Sequence, residues 1–118
     1  MIQDPPGVSY LEAILVAMRT AGQRLAAVGG YLSSAEKASI PAWKWQLLTA
    51  AGHAHAEACA SLDEAEERLS GLGAPDRLPA PLDALPERIR AMRSDLGDVE
   101  ERLQQALAEA LGSVAGSA

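Results

Sequence analysis

The sequence predicts an all-α protein: a long-helix antiparallel bundle with coiled-coil-like packing and about three helices. The first observation is an apolar seam at alternating three- and four-residue spacing, the period of one face of an α-helix. The second is composition: Phe is absent and only two Trp and two Tyr are present, whereas strands favour aromatic and β-branched residues. The seam occurs in three stretches: Leu11, Leu15, Met18, Gly22, Leu25; Trp45, Leu48, Gly52, His55, Cys59, Leu62; and Leu85, Ile89, Met92, Leu96, Val99, Leu103, Ala106, Ala110.

The length, net charge and apolar runs of the chain restrict the kinds of protein it can be. A length of 118 residues suits one domain with a modest core, so we expect residues 1–118 to form a single helical domain. The net charge of −6, with no cluster of Lys and Arg, disfavours nucleic acid and anionic membrane surfaces as partners. Residues 1–6 lack the basic region of a signal peptide, and the longest apolar run, 13–18, is too short to span a bilayer. The expected location is the cytoplasm.

The first helix is expected over about 10–38. Residues 5–7, Pro-Pro-Gly, are expected to lie outside it, and the pattern Ser9-x-x-Glu12 forms a capping box that starts it. Gly29 and Gly30 then interrupt the seam, and a second capping box follows them. Two alternatives remain, a kinked helix with a possible break at 29–33 or two shorter helices, and the pattern favours the kinked helix.

The second and third helices are separated by a Pro-rich connection. Pro41 suits the first position of a helix that runs over 41–70. Residues 71–82 contain three prolines and read as an extended connection. Because this connection can reach almost the length of the second helix, the direction of the third helix, expected over 84–111, stays open. A flexible tail is expected over 112–118.

The second helix is apolar on two sides. Trp43 and Trp45 lie about 200° apart around a helix, so they cannot share a face. Trp45 heads the seam, and Trp43 heads a second strip of mostly small residues. Either this helix packs centrally between the other two, or one Trp is an exposed anchor for another subunit. The candidate interaction residues are Trp43, Trp45, Leu47, Ala50, Ala54 and Ala58.

His55 and Cys59 are the residues nearest to a reactive or metal-binding pair. They lie four residues apart on one face, as two metal ligands on a helix would. No third ligand stands at helical spacing, so we interpret both as seam residues and expect no metal and no cofactor. Cys59 lacks a base that would activate it, and phosphate loops, dinucleotide fingerprints and serine elbows are absent from the sequence. The chain is therefore not expected to be an enzyme.

These observations predict a non-enzymatic module for protein–protein interaction or assembly, either a homo-oligomer or a small subunit of a larger complex. A Leu/Ala core buries little area per residue, so a second chain would add buried surface. One alternative is a small metal- or ligand-binding bundle that uses His55 and Cys59.

The other alternative is a secretion-linked helical hairpin. The first two helices, joined near Pro41 beside two Trp residues, resemble the small hairpin substrates of type VII secretion, the WXG family. The resemblance covers residues 1–70. Trp43-x-Trp45 stands where that family has Trp-x-Gly.

Overall fold

Three long helices make up nearly all of the structure, a computed structural model that describes residues 6–71, 78 and 82–116. They are α1 (Pro6–Lys37), α2 (Pro41–Ser70) and α3 (Leu85–Gly116), with a short 3₁₀ helix at Leu82–Ala84 before α3. The described residues contain no β-strand. The helices pack against one another, which confirms the predicted all-α bundle.

Helix α1 begins earlier than the sequence pattern indicates and continues without a break. It starts at Pro6 rather than near residue 10, because proline is tolerated in the first turn, where its missing N–H needs no partner. The expectation that residues 5–7 stay outside the helix is therefore wrong for Pro6 and Gly7. The possible break at 29–33 is absent, so the first helix is one element, as the pattern favours, rather than two shorter helices. Two mid-helix glycines cost about 1 kcal/mol each relative to Ala, and burial of Val28 and Leu32 in the same turns offsets that cost.

The turn between α1 and α2 is fixed by proline. Ile40 has an extended backbone (φ −93°, ψ 118°), since the residue before a proline is excluded from the helical region. The N–H of Lys44 donates to the carbonyl of Ile40 at 3.0 Å and closes the first turn of α2. Helix α2 has the predicted span, and the N–H of Gly71 donates to the carbonyl of Glu67 at its end (3.2 Å).

Helix α3 is longer than predicted. It extends to Gly116, so the flexible tail expected over 112–118 is wrong for residues 112–116. One glycine at position 112 costs only about 1 kcal/mol and does not end a helix. Residues 117–118 lie outside the described part of the chain, and so does most of the predicted connection, at 72–77 and 79–81.

Helices α1 and α2 form an antiparallel hairpin, and α3 packs on one side of it, antiparallel to α2 and parallel to α1. Two buried clusters show this order. The first joins the N-terminal half of α1, the C-terminal half of α2 and the start of α3: Ile14, Ala17, Met18, Ala21, Ala58, Leu62, Ala65, Leu69, Leu78, Leu85, Ile89 and Leu96. The second lies nearer the turn: Val28, Leu32, Ala35, Leu48, Ala51, Ala54 and Leu103.

The predicted apolar seams agree with the observed buried residues to different extents in the three helices. In α3 every residue of the predicted seam is buried or half-buried. In α1 the predicted seam is only partly the buried line: Met18 is buried, but Ile14 is fully buried while the predicted Leu15 is 39% exposed. In α2 the buried line runs between the two predicted strips: Leu48, Ala51, Ala54, Ala58, Leu62, Ala65 and Leu69. Over the residues the structure describes, no helix combines the length and apolar character that a bilayer span requires.

Candidate interaction face of the helical hairpin

The hairpin has one covered side and one open side. Helix α3 covers the side of α2 that carries His55 and Asp63, both of which bond to α3. Trp45 lies eighteen residues before Asp63, which is five full helical turns, so it points to this same side. Trp43 lies about 200° away and points to the opposite side. We call that opposite side of α1 and α2 the hairpin face.

An open groove between α1 and α2 lies on the hairpin face. Its volume is about 480 Å³, and small side chains form most of its floor. Val16 at its edge is 57% exposed. Further along, Arg24 of α1 pairs with Glu57 of α2 at 2.7 Å across the face. The groove is lined by Glu12, Ala13, Val16, Ala17, Thr20, Ser61 and Glu64.

The structure divides the six predicted interaction residues. Trp43 and Trp45 are 59% and 47% exposed, on opposite sides of α2. Leu47 and Ala50 are half-buried. Ala54 and Ala58 are buried because α1 packs directly against them, so they are not accessible to another chain. The accessible part of the Trp43 strip is therefore Trp43, Leu47 and Ala50.

His55 and Cys59 connect α2 to α3. The Nε2 atom of His55 lies 3.0 Å from the carbonyl oxygen of Leu96. A carbonyl only accepts hydrogen bonds, so Nε2 carries the proton and donates it, and Nδ1 is left as an acceptor. The Cys59 thiol lies 3.8 Å from Nδ1 and donates to it. Both ring nitrogens of His55 are therefore hydrogen-bonded to partners within the bundle.

The Cys59 thiol is held in its neutral form. Burial raises its pKa, and the carboxylates of Asp63 and Glu100 raise it further, while Arg93 acts in the opposite direction. A thiol with a raised pKa is a poor nucleophile and a poor metal ligand at neutral pH. In the part of the chain that the structure describes, no three His, Cys, Asp or Glu side chains come together as a metal site would require. The metal-binding alternative therefore gains no third ligand there.

Arg93 of α3 forms ion pairs with two carboxylates of α2. Its Nη2 and Nε atoms bond to Asp63 at 2.6 Å and to Glu66 at 2.7 Å. These hydrogen bonds raise the pKa of the guanidinium further above its ordinary value. Near the turn, Arg102 of α3 pairs with Glu36 of α1 at 3.3 Å. These bonds orient α3 and leave the hairpin face uncovered.

The fold and this face define the class of protein: a three-helix all-α bundle with one open side. Comparison with protein-family models, with curated proteins and with solved structures gives no match to the chain. The resemblance to type VII secretion hairpins gains no support from these comparisons.

The groove is not predicted by the sequence alone. Its only sequence signal is the run of small residues Ala13, Ala17 and Thr20 along α1 at three- and four-residue spacing, opposite Ser61 of α2. Such runs are common in Ala-rich helices, so the pattern does not indicate a groove until the antiparallel register is known.

Proposed function

We propose that this protein is a non-enzymatic interaction module that assembles with another protein chain through its hairpin face. The observation that carries the proposal is Trp43, whose large apolar side chain is 59% exposed on the hairpin face. A Trp side chain can bury about 150–250 Å², and Trp is among the residues most enriched at binding hot spots. An indole in this position is suited to anchor a partner.

The polar chemistry of the bundle supports a non-enzymatic role. His55 donates to a backbone carbonyl, Cys59 is a neutral thiol, and Arg93 is divided between two carboxylates. Catalysis needs a nucleophile or base whose reactive atom faces a substrate. These three groups are instead used in joining α2 to α3.

The test compares two Trp variants that differ only in the side of α2 they change. Association is measured by sedimentation equilibrium and by light scattering after size exclusion, with partner capture by cross-linking in cells. We expect Trp43→Ala to weaken association about 30-fold or more, the effect of losing one hot spot. Trp45→Ala, whose side chain lies off the hairpin face, is expected to change it less than about threefold. If the protein neither self-associates nor captures any partner in a Trp43-dependent way, the proposal is wrong.

A secretion-linked hairpin is the second candidate. The observation that favours it is the antiparallel α1–α2 hairpin with a three-residue turn, Ala38–Ile40, beside two Trp residues. The first proposal places the protein in the cytoplasm, whereas this one exports it. Fractionation separates them: accumulation of the chain in culture medium without cell lysis supports export, and retention in the cytoplasmic fraction contradicts it.

A further inference from the structure

The hairpin face carries a protruding side chain and a groove at opposite ends. Trp43 and the groove residue Ser61 are eighteen residues apart, so they have the same angular position on α2 and lie about 27 Å apart along its axis. The groove, of about 480 Å³ with a floor of small side chains, has room for an indole. The antiparallel register, shown by the Arg24–Glu57 pair, places the groove near the start of α1 and Trp43 near its end.

From this arrangement we infer that the partner on the hairpin face is a second copy of this chain. Two copies form an antiparallel dimer with two-fold symmetry, in which Trp43 of each copy occupies the groove of the other. The inference rests on the proposed function and names its partner. A two-fold axis that lies in the plane of the interface, perpendicular to the helix axes and midway between Trp43 and the groove, exchanges the two features and makes the surface self-complementary, as an isologous interface requires.

The centre of the face suits this axis. Midway between Trp43 and Ser61 the face presents Ala50 of α2 and, level with it on α1, Ala27 and Tyr31. Ala27 and Ala50 are half-buried and small, so two hairpins can approach closely there. The ring of Tyr31 is 37% exposed and would lie against these alanines of the other copy.

Charge favours the antiparallel arrangement. The groove end carries the carboxylates of Glu12 and Glu64, although Glu64 also pairs with Arg68 at 3.1 Å. The Trp43 end carries Lys37, the exposed last residue of α1. An antiparallel pair brings Lys37 of each copy to the partner's carboxylates, whereas a parallel pair would place like charges together. The rim carboxylates also offer an acceptor to the indole N–H, which needs one when buried.

The area of the face fits a dimer. From Glu12 to the level of Trp43 the face is about 35 Å long, and two packed helices make it about 20 Å wide, or about 700 Å² per copy. A standard stable interface buries about 800 Å² per partner.

The experiment uses complementation between two variants of the full chain. Trp43→Ala removes the protruding indole and leaves the groove intact, whereas Thr20→Arg fills the groove and leaves the indole intact. Each variant alone is expected to dimerise about 30-fold or more weakly than the wild type, measured by sedimentation equilibrium. A 1:1 mixture is expected to associate at least about tenfold more tightly than either variant alone, because one indole and one open groove meet in the mixed dimer. Circular dichroism melts check that both variants are folded.

The outcomes separate this inference from the proposed function. Trp45→Ala is the matched control and should keep the dimer mass of twice 12.3 kDa. A wild-type chain that stays monomeric at millimolar concentration overturns the inference, and the proposed function still stands if Trp43→Ala abolishes capture of a different partner. A mixture that associates no better than its two components overturns the antiparallel arrangement, even if the wild type is a dimer.

Discussion

At the scale of single residues, the most specific contact is the one that joins His55, Cys59 and the carbonyl of Leu96. It replaces a purely apolar seam at this level of the bundle with directed hydrogen bonds. Directed bonds tolerate less sliding than Leu–Ala contacts do, so this contact fixes the height of α3 against α2.

The raised pKa of the Cys59 thiol makes stability depend on pH. The folded chain keeps this proton at pH values where the unfolded chain, with a thiol pKa near the ordinary value of 9.0, begins to lose it. The folded state then binds more protons than the unfolded state, so stability falls as pH rises. The contribution is complete below about pH 8, where the unfolded thiol is still protonated, and is lost progressively as pH rises further.

The measurement is urea denaturation of the wild type and of Cys59→Ala at several pH values from 6 to 10.5. We expect the difference in free energy of unfolding between the two to be constant from pH 6 to 8 and to shift against the wild type above pH 9. A difference that stays constant up to pH 10.5 would show that the thiol is not protected in the folded state.

At the scale of helices, local pattern predicted the number of elements and the packing side of α3, and tertiary contacts decided the rest. Helix α2 has its predicted bounds because Pro41 and the Gly71 region set them locally. The direction of α3 is set by contacts such as Arg93 with Asp63, which no local signal encodes. In α1 the buried position is Ile14 rather than Leu15, because Ala17 and Ala21 let α2 approach on that side.

The candidate site also has features that the sequence predicts and features that depend on tertiary contacts. The angular separation of Trp43 and Trp45 follows from helix geometry alone, so the sequence was enough to place them on different sides of α2. The burial of Ala54 and Ala58 depends on the register between α1 and α2. The sequence does not reveal which residues of α1 lie opposite which residues of α2. It therefore could not predict which part of the Trp43 strip stays accessible.

The unbroken course of α1 through Gly29 leads to a stability prediction. A Cβ added at Gly29 meets no atom within 4 Å, and the residue lies in a regular helix, off the hairpin face. Gly29→Ala is therefore expected to raise the free energy of unfolding by about 0.5–1 kcal/mol. Urea denaturation measures the change. Ala26→Gly, at an exposed position of the same helix, is the reciprocal control and should lower stability by a similar amount. Loss of stability in Gly29→Ala would indicate a local bend in α1.

At the scale of the whole molecule, the bundle is long and thin, with principal extents of 64, 33 and 17 Å. Its core has no Phe or Trp and depends on Leu, Ile, Val, Met and Ala. Because small residues make up much of the buried line, each fully buried large side chain accounts for a large share of the apolar area removed from water.

Removal of one such side chain is expected to weaken the whole bundle. Leu62 is fully buried between the helices, and Leu62→Ala should lower the free energy of unfolding by about 2–5 kcal/mol. Leu15→Ala, at a position that is 39% exposed, should cost less than about 1 kcal/mol. Chemical denaturation followed by circular dichroism compares them. Equal losses in the two variants would mean that the buried line of the bundle is misplaced.

The shared direction of α1 and α3 determines where attached groups would be displayed. Pro6 lies at the groove end of the bundle and Gly116 at the Trp43 end, because α3 runs parallel to α1. In an antiparallel dimer, each end would contain the start of α1 from one copy and the end of α3 from the other. Domains fused before α1 would therefore lie at opposite ends of the dimer, separated by the length of the bundle. The dimer would hold two such domains apart rather than bring them together.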